Sequence, residues 1–91
     1  VHISDTEAVF LERVRRCIAQ DKALLMAMDP DAWAARLDYR RRDLGLAQAQ
    51  FAAARSSLIE LLEAHRADAA RWAVHSEAGR VTLADLAAKA E

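Results

Sequence analysis

Apolar residues recur at helical spacing from the start of the chain to about residue 28. They follow one another at steps of three, four or seven from Phe10 to Met28, and charged residues occupy most of the positions between them. This spacing is typical of an amphipathic helix with one buried face. Ser4 and Glu7, three residues apart, match a capping box near its start. The pattern predicts a first helix over residues 5–28.

The clearest interruption of this pattern is the stretch Asp29-Pro30-Asp31. Asp29 can cap a new helix, and Pro30 fits the first helical position, where the missing backbone N–H is not needed. Because proline disfavours helical backbone at the residue before it, we expect the first helix to stop here. A tight turn would then join two helices packed as a hairpin.

The second pattern is a heptad-like seam that continues for about five repeats. Its positions are Trp33, Leu37, Leu44, Phe51, Leu58, His65 and Trp72. No proline interrupts the seam, and no capping residue follows Gly45, so we expect one continuous helix over residues 30–77. A break at Gly45 remains the alternative. Gly79 is expected to end this helix, and Thr82 with Asp85 to cap a short third helix over residues 83–90.

The predicted fold is therefore all-α, a single helical domain over residues 1–91. A first helix of this length covers only the near half of the second, because both rise 1.5 Å per residue. A large apolar side chain left in water forfeits about 1.5–3 kcal/mol. We expect a second copy to cover the far half, which gives a helical-bundle homodimer. The residues predicted to form this partner-binding surface are Leu58, Leu61, Leu62, His65, Trp72 and His75. The near positions Trp33, Leu37, Leu44 and Phe51 are expected to form the hairpin core.

Composition agrees with long helices and narrows the range of partners. The chain has two Gly and one Pro, and its net charge of −1 gives no general attraction to nucleic acid or anionic lipid. One cysteine and the lack of a long apolar run or a signal-peptide pattern predict a cytoplasmic protein without a membrane span. The amino-acid usage suggests a bacterial source.

Candidate chemistry is confined to His65, Asp68 and His75. Because ten residues separate the two histidines, one helix would place them about 15 Å apart, too far for a shared metal ion. No serine or cysteine nucleophile accompanies the His–Asp pair in the sequence. We therefore expect no enzymatic activity, no metal and no cofactor.

The function that these patterns favour is binding to another protein through an amphipathic helix face. The first candidate is a regulator of the anti-activator type, which masks a helical or oligomerisation surface of its partner. An export chaperone or adaptor of a secretion system is the second. A dimer that binds nucleic acid through the Arg36–Arg42 face is the third, and it is disfavoured because Asp38 interrupts this basic segment.

Overall fold

The computed structural model describes residues 2–90 of the chain, and the side chains of residues 2–89. Within this part, four α-helices and three short β-strands follow one another. They are α1 (His2–Ala19), β1 (Leu24–Leu25), α2 (Pro30–Arg36), α3 (Leu44–Ala64), β2 (Trp72–His75), β3 (Gly79–Thr82) and α4 (Leu83–Ala90), with 3₁₀ turns at Tyr39–Arg41 and Arg66–Asp68. Helix accounts for 67% of the residues, so the fold is mostly helical but α+β rather than all-α.

The two long helices, α1 and α3, pack against each other and run in the same general direction. Glu7, early in α1, pairs with Arg55 of α3, and Asp5 lines the same hollow as Ala47 near the start of α3. At the other end, Arg71, seven residues beyond α3, contacts the last turn of α1. The segment of residues 20–43 therefore returns the chain to the starting end before α3 begins.

The small sheet has the strand order β1-β2-β3. β1 pairs with β2 in parallel, with Leu24 opposite Val74, whereas β2 and β3 form an antiparallel hairpin. Gly79 takes a φ of +76° where the hairpin returns, a conformation that glycine adopts without steric cost. Parallel pairing needs a long crossover, and here α2 and α3 supply it.

The buried core lies where α1 meets the sheet, α3 and α4. Its members are Leu11, Val14, Cys17, Ala23, Leu25, Leu58, Ala73, Leu83 and Leu86. Leu11, Val14 and Cys17 follow one another at steps of three, so one stripe of α1 supplies a third of the cluster. α1 packs against α3, α4, β1 and β2.

The sequence prediction of a first helix over residues 5–28 is wrong at its end. α1 stops at Ala19, Lys22 has a left-handed φ of 53°, and Leu24 and Leu25 form a strand. Two backbone hydrogen bonds hold this strand: the Val74 N–H donates to the Ala23 carbonyl, and the Ser76 N–H donates to the Leu25 carbonyl. The spacing of apolar residues in the first 28 positions does not indicate pairing with a segment so distant in the chain.

The predicted capping box at the start of that helix is also absent. Helical structure already covers Ser4, and its Oγ is buried without a hydrogen-bond partner among the described residues. A serine inside a helix cannot cap it, because the cap position has non-helical backbone angles.

The continuous helix over residues 30–77 is wrong, and with it the antiparallel hairpin. α2 ends at Arg36, and Asp38 turns the chain with a left-handed φ of 54°. Asp43 then caps α3 through a bond from the Leu46 N–H to its Oδ1 at 2.9 Å. Gly45 is not the break: it lies in the first turn of α3, and the cap precedes it.

Two helix caps predicted from the sequence are confirmed by the structure. Asp29 caps α2, accepting the Ala32 N–H at 3.1 Å, with Pro30 at the first helical position. Thr82 and Asp85 form a reciprocal capping box, with bonds of 2.9 and 3.1 Å. These bonds to Thr82 lower the pKa of Asp85. The box starts α4 directly after β3.

In the part of the chain that the structure describes, no helix combines the length and the apolar character that crossing a membrane requires.

Arg71 closes the end of α1. Its Nε donates to the Cys17 carbonyl at 3.1 Å, and its Nη2 donates to the Gln20 carbonyl at 3.2 Å and to Asp21 Oδ1 at 3.1 Å. The last carbonyls of a helix have no partner within the helix, and they carry its partial negative charge. The Arg71 guanidinium donates hydrogen bonds to these carbonyls, and its positive charge lies beside the negative end of the helix.

We expect Arg71→Ala to lower the free energy of unfolding by about 1–2 kcal/mol, because two helix-end carbonyls lose a charged donor. The exposed ion pair with Asp21 adds little. Urea denaturation measures the change. Arg66→Ala, at an exposed position in the neighbouring 3₁₀ turn, is the matched control and should leave stability nearly unchanged. Equal losses in the two variants would contradict the role given to Arg71.

Candidate functional site

The six residues predicted to form one partner-binding surface lie in different environments. Leu58 is fully buried, with 0% exposure, and belongs to the core. Leu61 and Leu62 are partly buried and pack against that core. The chain itself therefore covers these leucines through α1, the sheet and α4.

His65 lies beyond the helix rather than on its face. It is the last capping position of α3, and its Nδ1 is 2.8 Å from Asp68 Oδ2. The pair belongs to the turn that leads out of α3. No group of three or more His, Cys, Asp or Glu side chains in residues 2–89 is arranged to hold a metal ion.

Trp72 and His75 lie on β2 and not on a helix. Successive strand residues point to opposite faces, so Trp72 and Val74 share the outer face of the sheet while Ala73 and His75 point inward. The guanidinium carbon of Arg80 stands 3.8 Å from the centroid of the Trp72 ring, as a cation–π pair. Trp72 and His75 therefore cannot contact one flat partner together.

Exposed apolar side chains gather instead at the end of the molecule where α1 and α3 begin. We call the group Ile3, Leu37, Leu44 and Leu46 the open end. Their exposures are 66%, 49%, 63% and 66%. Leu37 and Leu46 line a hollow of about 470 Å³ whose floor includes Ala47. The sequence assigned Leu37 and Leu44 to a hairpin core, and the structure corrects this.

The sequence signal that could have identified the open end is Asp43. An aspartate three residues before Leu46 is a helix cap, so α3 starts there and its first turn has no preceding helix to pack against. The heptad spacing gave the correct helical period but did not indicate which positions would find a neighbour.

A hydrogen bond between the chain before α3 and α1 shapes the open end. The Tyr39 hydroxyl donates to Asp5 Oδ2 at 2.5 Å. Loss of water around the phenol raises the pKa of Tyr39 to about 12, with the bond to Asp5 and its negative charge as further causes. This contact fixes the 3₁₀ turn at Tyr39–Arg41 against the first turns of α1.

Charges of both signs surround the hollow at the open end. Asp5 and Asp43 stand against Arg41 and Arg42, so its ionisable lining has as many carboxylates as guanidinium groups, with Tyr39 neutral. The surface thus combines exposed leucines with a rim of balanced charge. It contains no buried carboxylate pair or activated nucleophile, among the residues that line it, that could perform acid–base chemistry.

The single cysteine is not available as a nucleophile. Cys17 is fully buried, and burial raises the pKa of its thiol, although the nearby Arg71 charge opposes the shift. Its Sγ lies 3.8 Å from the Arg71 carbonyl. A buried thiol with a raised pKa stays protonated and unreactive.

Comparison with known proteins places the chain in no family. No family model, no curated protein and no solved structure matches it. We therefore infer a function from the geometry of this chain.

Alkaline titration of Tyr39 tests the contact that shapes the open end. Tyr39 is the only tyrosine, so ultraviolet absorbance follows one group. We expect a midpoint near pH 12, above the ordinary value of 10.0. Because the folded-state pKa is raised, the stability that this phenol contributes is complete below about pH 10 and is lost as the pH rises through 12.

Asp5→Asn is the matched variant for this titration, because it keeps the size and removes the charge. We expect its midpoint to fall between 10 and 12, since burial still raises the pKa. Circular dichroism at the same pH confirms that the chain is folded at each point. A wild-type midpoint at 10 in the folded protein would mean that the contact with Asp5 does not form.

Proposed function

We propose that the protein is a small non-catalytic protein-binding module, and that its first partner is a second copy of the same chain. The observation that carries this proposal is that the chain exposes more surface than a folded monomer of its mass does. Of the seven exposed large apolar side chains among residues 2–89, four lie at the open end.

The surface excess is close to one side of a protein–protein interface. The accessible surface is 6305 Å², whereas the scaling of surface with mass gives about 5,300 Å² for a monomer of 10.1 kDa. The difference of about 1,000 Å² compares with about 800 Å² per partner in an interface of standard size. The radius of gyration of 13.8 Å likewise exceeds the roughly 12 Å of a compact domain of this length.

The open end supplies the apolar part of such a contact. Leu44 and Leu46 lie in the first turn of α3, and Leu37 follows α2. Covering one such leucine completely is worth about 1.5–3 kcal/mol. Leu37 and Leu46 line one hollow and form a centre around which a polar rim can exclude water.

The charge pattern favours a second copy over a strongly charged partner. In a two-fold contact the same patch meets itself, so a patch of one sign would repel its copy. The two carboxylates and two guanidinium groups around the hollow can instead pair across the axis. Nucleic acid would require a net positive surface, and Arg41 is already 3.2 Å from Asp38.

The regulator of the anti-activator type remains our proposal for the biological role. A homodimer that opens to expose leucines can exchange one copy for a partner that offers a similar apolar surface. The export chaperone or adaptor uses the same kind of surface, and it remains the alternative that the sequence suggests.

Leu46→Asp tests the proposal without disturbing the fold. Leu46 is the third residue of α3, and a carboxylate in the first turn of a helix interacts favourably with the helix dipole. We expect this variant to weaken self-association at least tenfold, measured by sedimentation equilibrium, because a charge would be buried in an apolar contact. Its thermal unfolding at low concentration should match that of the wild type.

The control is Ile59→Asp, on the same helix but outside the open end. Ile59 is 47% exposed, and it receives the same change of an apolar side chain to a carboxylate. We expect its self-association to equal that of the wild type. If Ile59→Asp abolishes association and Leu46→Asp leaves it intact, the open end is not the contact.

A further inference from the structure

A second hollow, of about 230 Å³, lies between α1, α3, the β2–β3 hairpin and α4. It is separate from the open end, and basic groups outnumber carboxylates among its ionisable lining residues. They are Arg13 of α1, Arg55 of α3, His75 of β2 and Lys89 of α4, with Glu7 as the carboxylate among them. Four elements of the fold therefore bring positive or hydrogen-bond-donating groups to one place.

The charges in this hollow do not balance. Arg55 pairs with Glu7 at 3.3 Å, which offsets one positive charge. Neither Arg13 nor Lys89 forms an ion pair with a carboxylate in residues 2–89. The lining therefore holds three cationic side chains against one carboxylate, although Asp85, which does not line the hollow, also attracts Lys89. A dianion would offset this excess of positive charge.

Arg13 carries a donor that the fold leaves unused. Its Nη2 donates to the Met26 carbonyl at 2.9 Å, which fixes the side chain against the segment after β1. Its Nε is buried and has no hydrogen-bond partner among the described residues. Arg13 also lines a neighbouring hollow that includes Met26, so what it brings to this hollow is its positive charge and not the buried N–H.

The hydrogen bonds of His75 determine which of its ring nitrogens can reach a ligand. Its Nδ1 accepts the backbone N–H groups of Glu77 and Ala78, at 3.1 and 3.2 Å. A nitrogen that accepts these bonds carries no proton, so the neutral ring has its proton on Nε2. Nε2–H is therefore the one donor that His75 can offer.

We propose that this hollow binds a small oxyanion with two negative charges, a phosphate group in free form or as a phosphomonoester. Arg13 and Lys89 supply the charge, His75 Nε2–H supplies a neutral donor, and Arg55 is held in place by Glu7. A hollow of this volume has room for about seven water molecules, more than a tetrahedral phosphate displaces. The site is independent of the proposed protein contact, because no residue lines both hollows.

Isothermal titration of the full chain with inorganic phosphate tests this proposal, at constant ionic strength set with sodium chloride. We expect saturable binding with one site per chain. Lys89→Gln should weaken the affinity at least fivefold. Lys22→Gln, at the only other lysine and distant from the hollow, should leave it unchanged.

Glu7→Gln should change the phosphate affinity of the hollow in the opposite direction to Lys89→Gln. Removing this carboxylate takes one negative charge from the lining of the hollow, so phosphate should bind several times more tightly. A merely structural role for Glu7 would weaken binding or leave it unchanged. Circular dichroism of each variant separates loss of the fold from loss of the ligand.

Three further ligands define the chemical class. Sulfate should compete with phosphate, acetate should bind at least tenfold more weakly, and phenyl phosphate distinguishes an ester from the free anion by whether it binds as tightly. The proposal is overturned by the absence of saturable phosphate binding, by equal effects of Lys89→Gln and Lys22→Gln, or by acetate binding as well as phosphate.

Discussion

The guanidinium of Arg71 at the end of α1 is the contact on which the arrangement of the sheet depends. It binds the carbonyls of Cys17 and Gln20, and the next residue along the chain is the first of β2. The central strand therefore starts at the end of α1. The Arg71 carbonyl also accepts the Leu83 N–H at 2.7 Å, which fixes the start of α4. One residue thus connects the end of α1, the sheet and the last helix.

This arrangement determines what α3 can contact. The sheet, α3 and α4 all pack against α1, and α1 is the main packing neighbour of α3. Leu58, in the second half of α3, reaches the common core, whereas Leu44 and Leu46, in the first turn, do not. α1 supplies much of the core of this small α+β fold. The start of α3 therefore lies beyond the core and is not covered. The open end follows from the topology, and the proposed self-association would provide the missing cover.

The helix caps at Asp29 and Thr82 were predictable from the sequence, whereas the capping box at Ser4 was wrong and the cap at Asp43 was not predicted. Distant pairing was not predictable. The caps at Asp29 and Thr82 depend on residues three positions away, so the sequence displays them directly. Leu24 pairs with Val74, fifty positions later, and a two-residue strand has no periodicity to detect. The heptad spacing continued through Trp72 although the helix ends at Ala64, because helical spacing in an alanine-rich chain does not exclude a strand. The basic hollow needed the fold, since its residues come from four elements.

We propose that a second copy of this chain covers its exposed apolar surface. Molar mass by light scattering over a range of concentrations tests it most directly. We expect a mass that rises with concentration from 10.1 kDa and levels off at twice that value. A mass that stays at 10.1 kDa up to millimolar concentration would contradict it, and the exposed leucines of the open end would then serve no contact between copies of this chain.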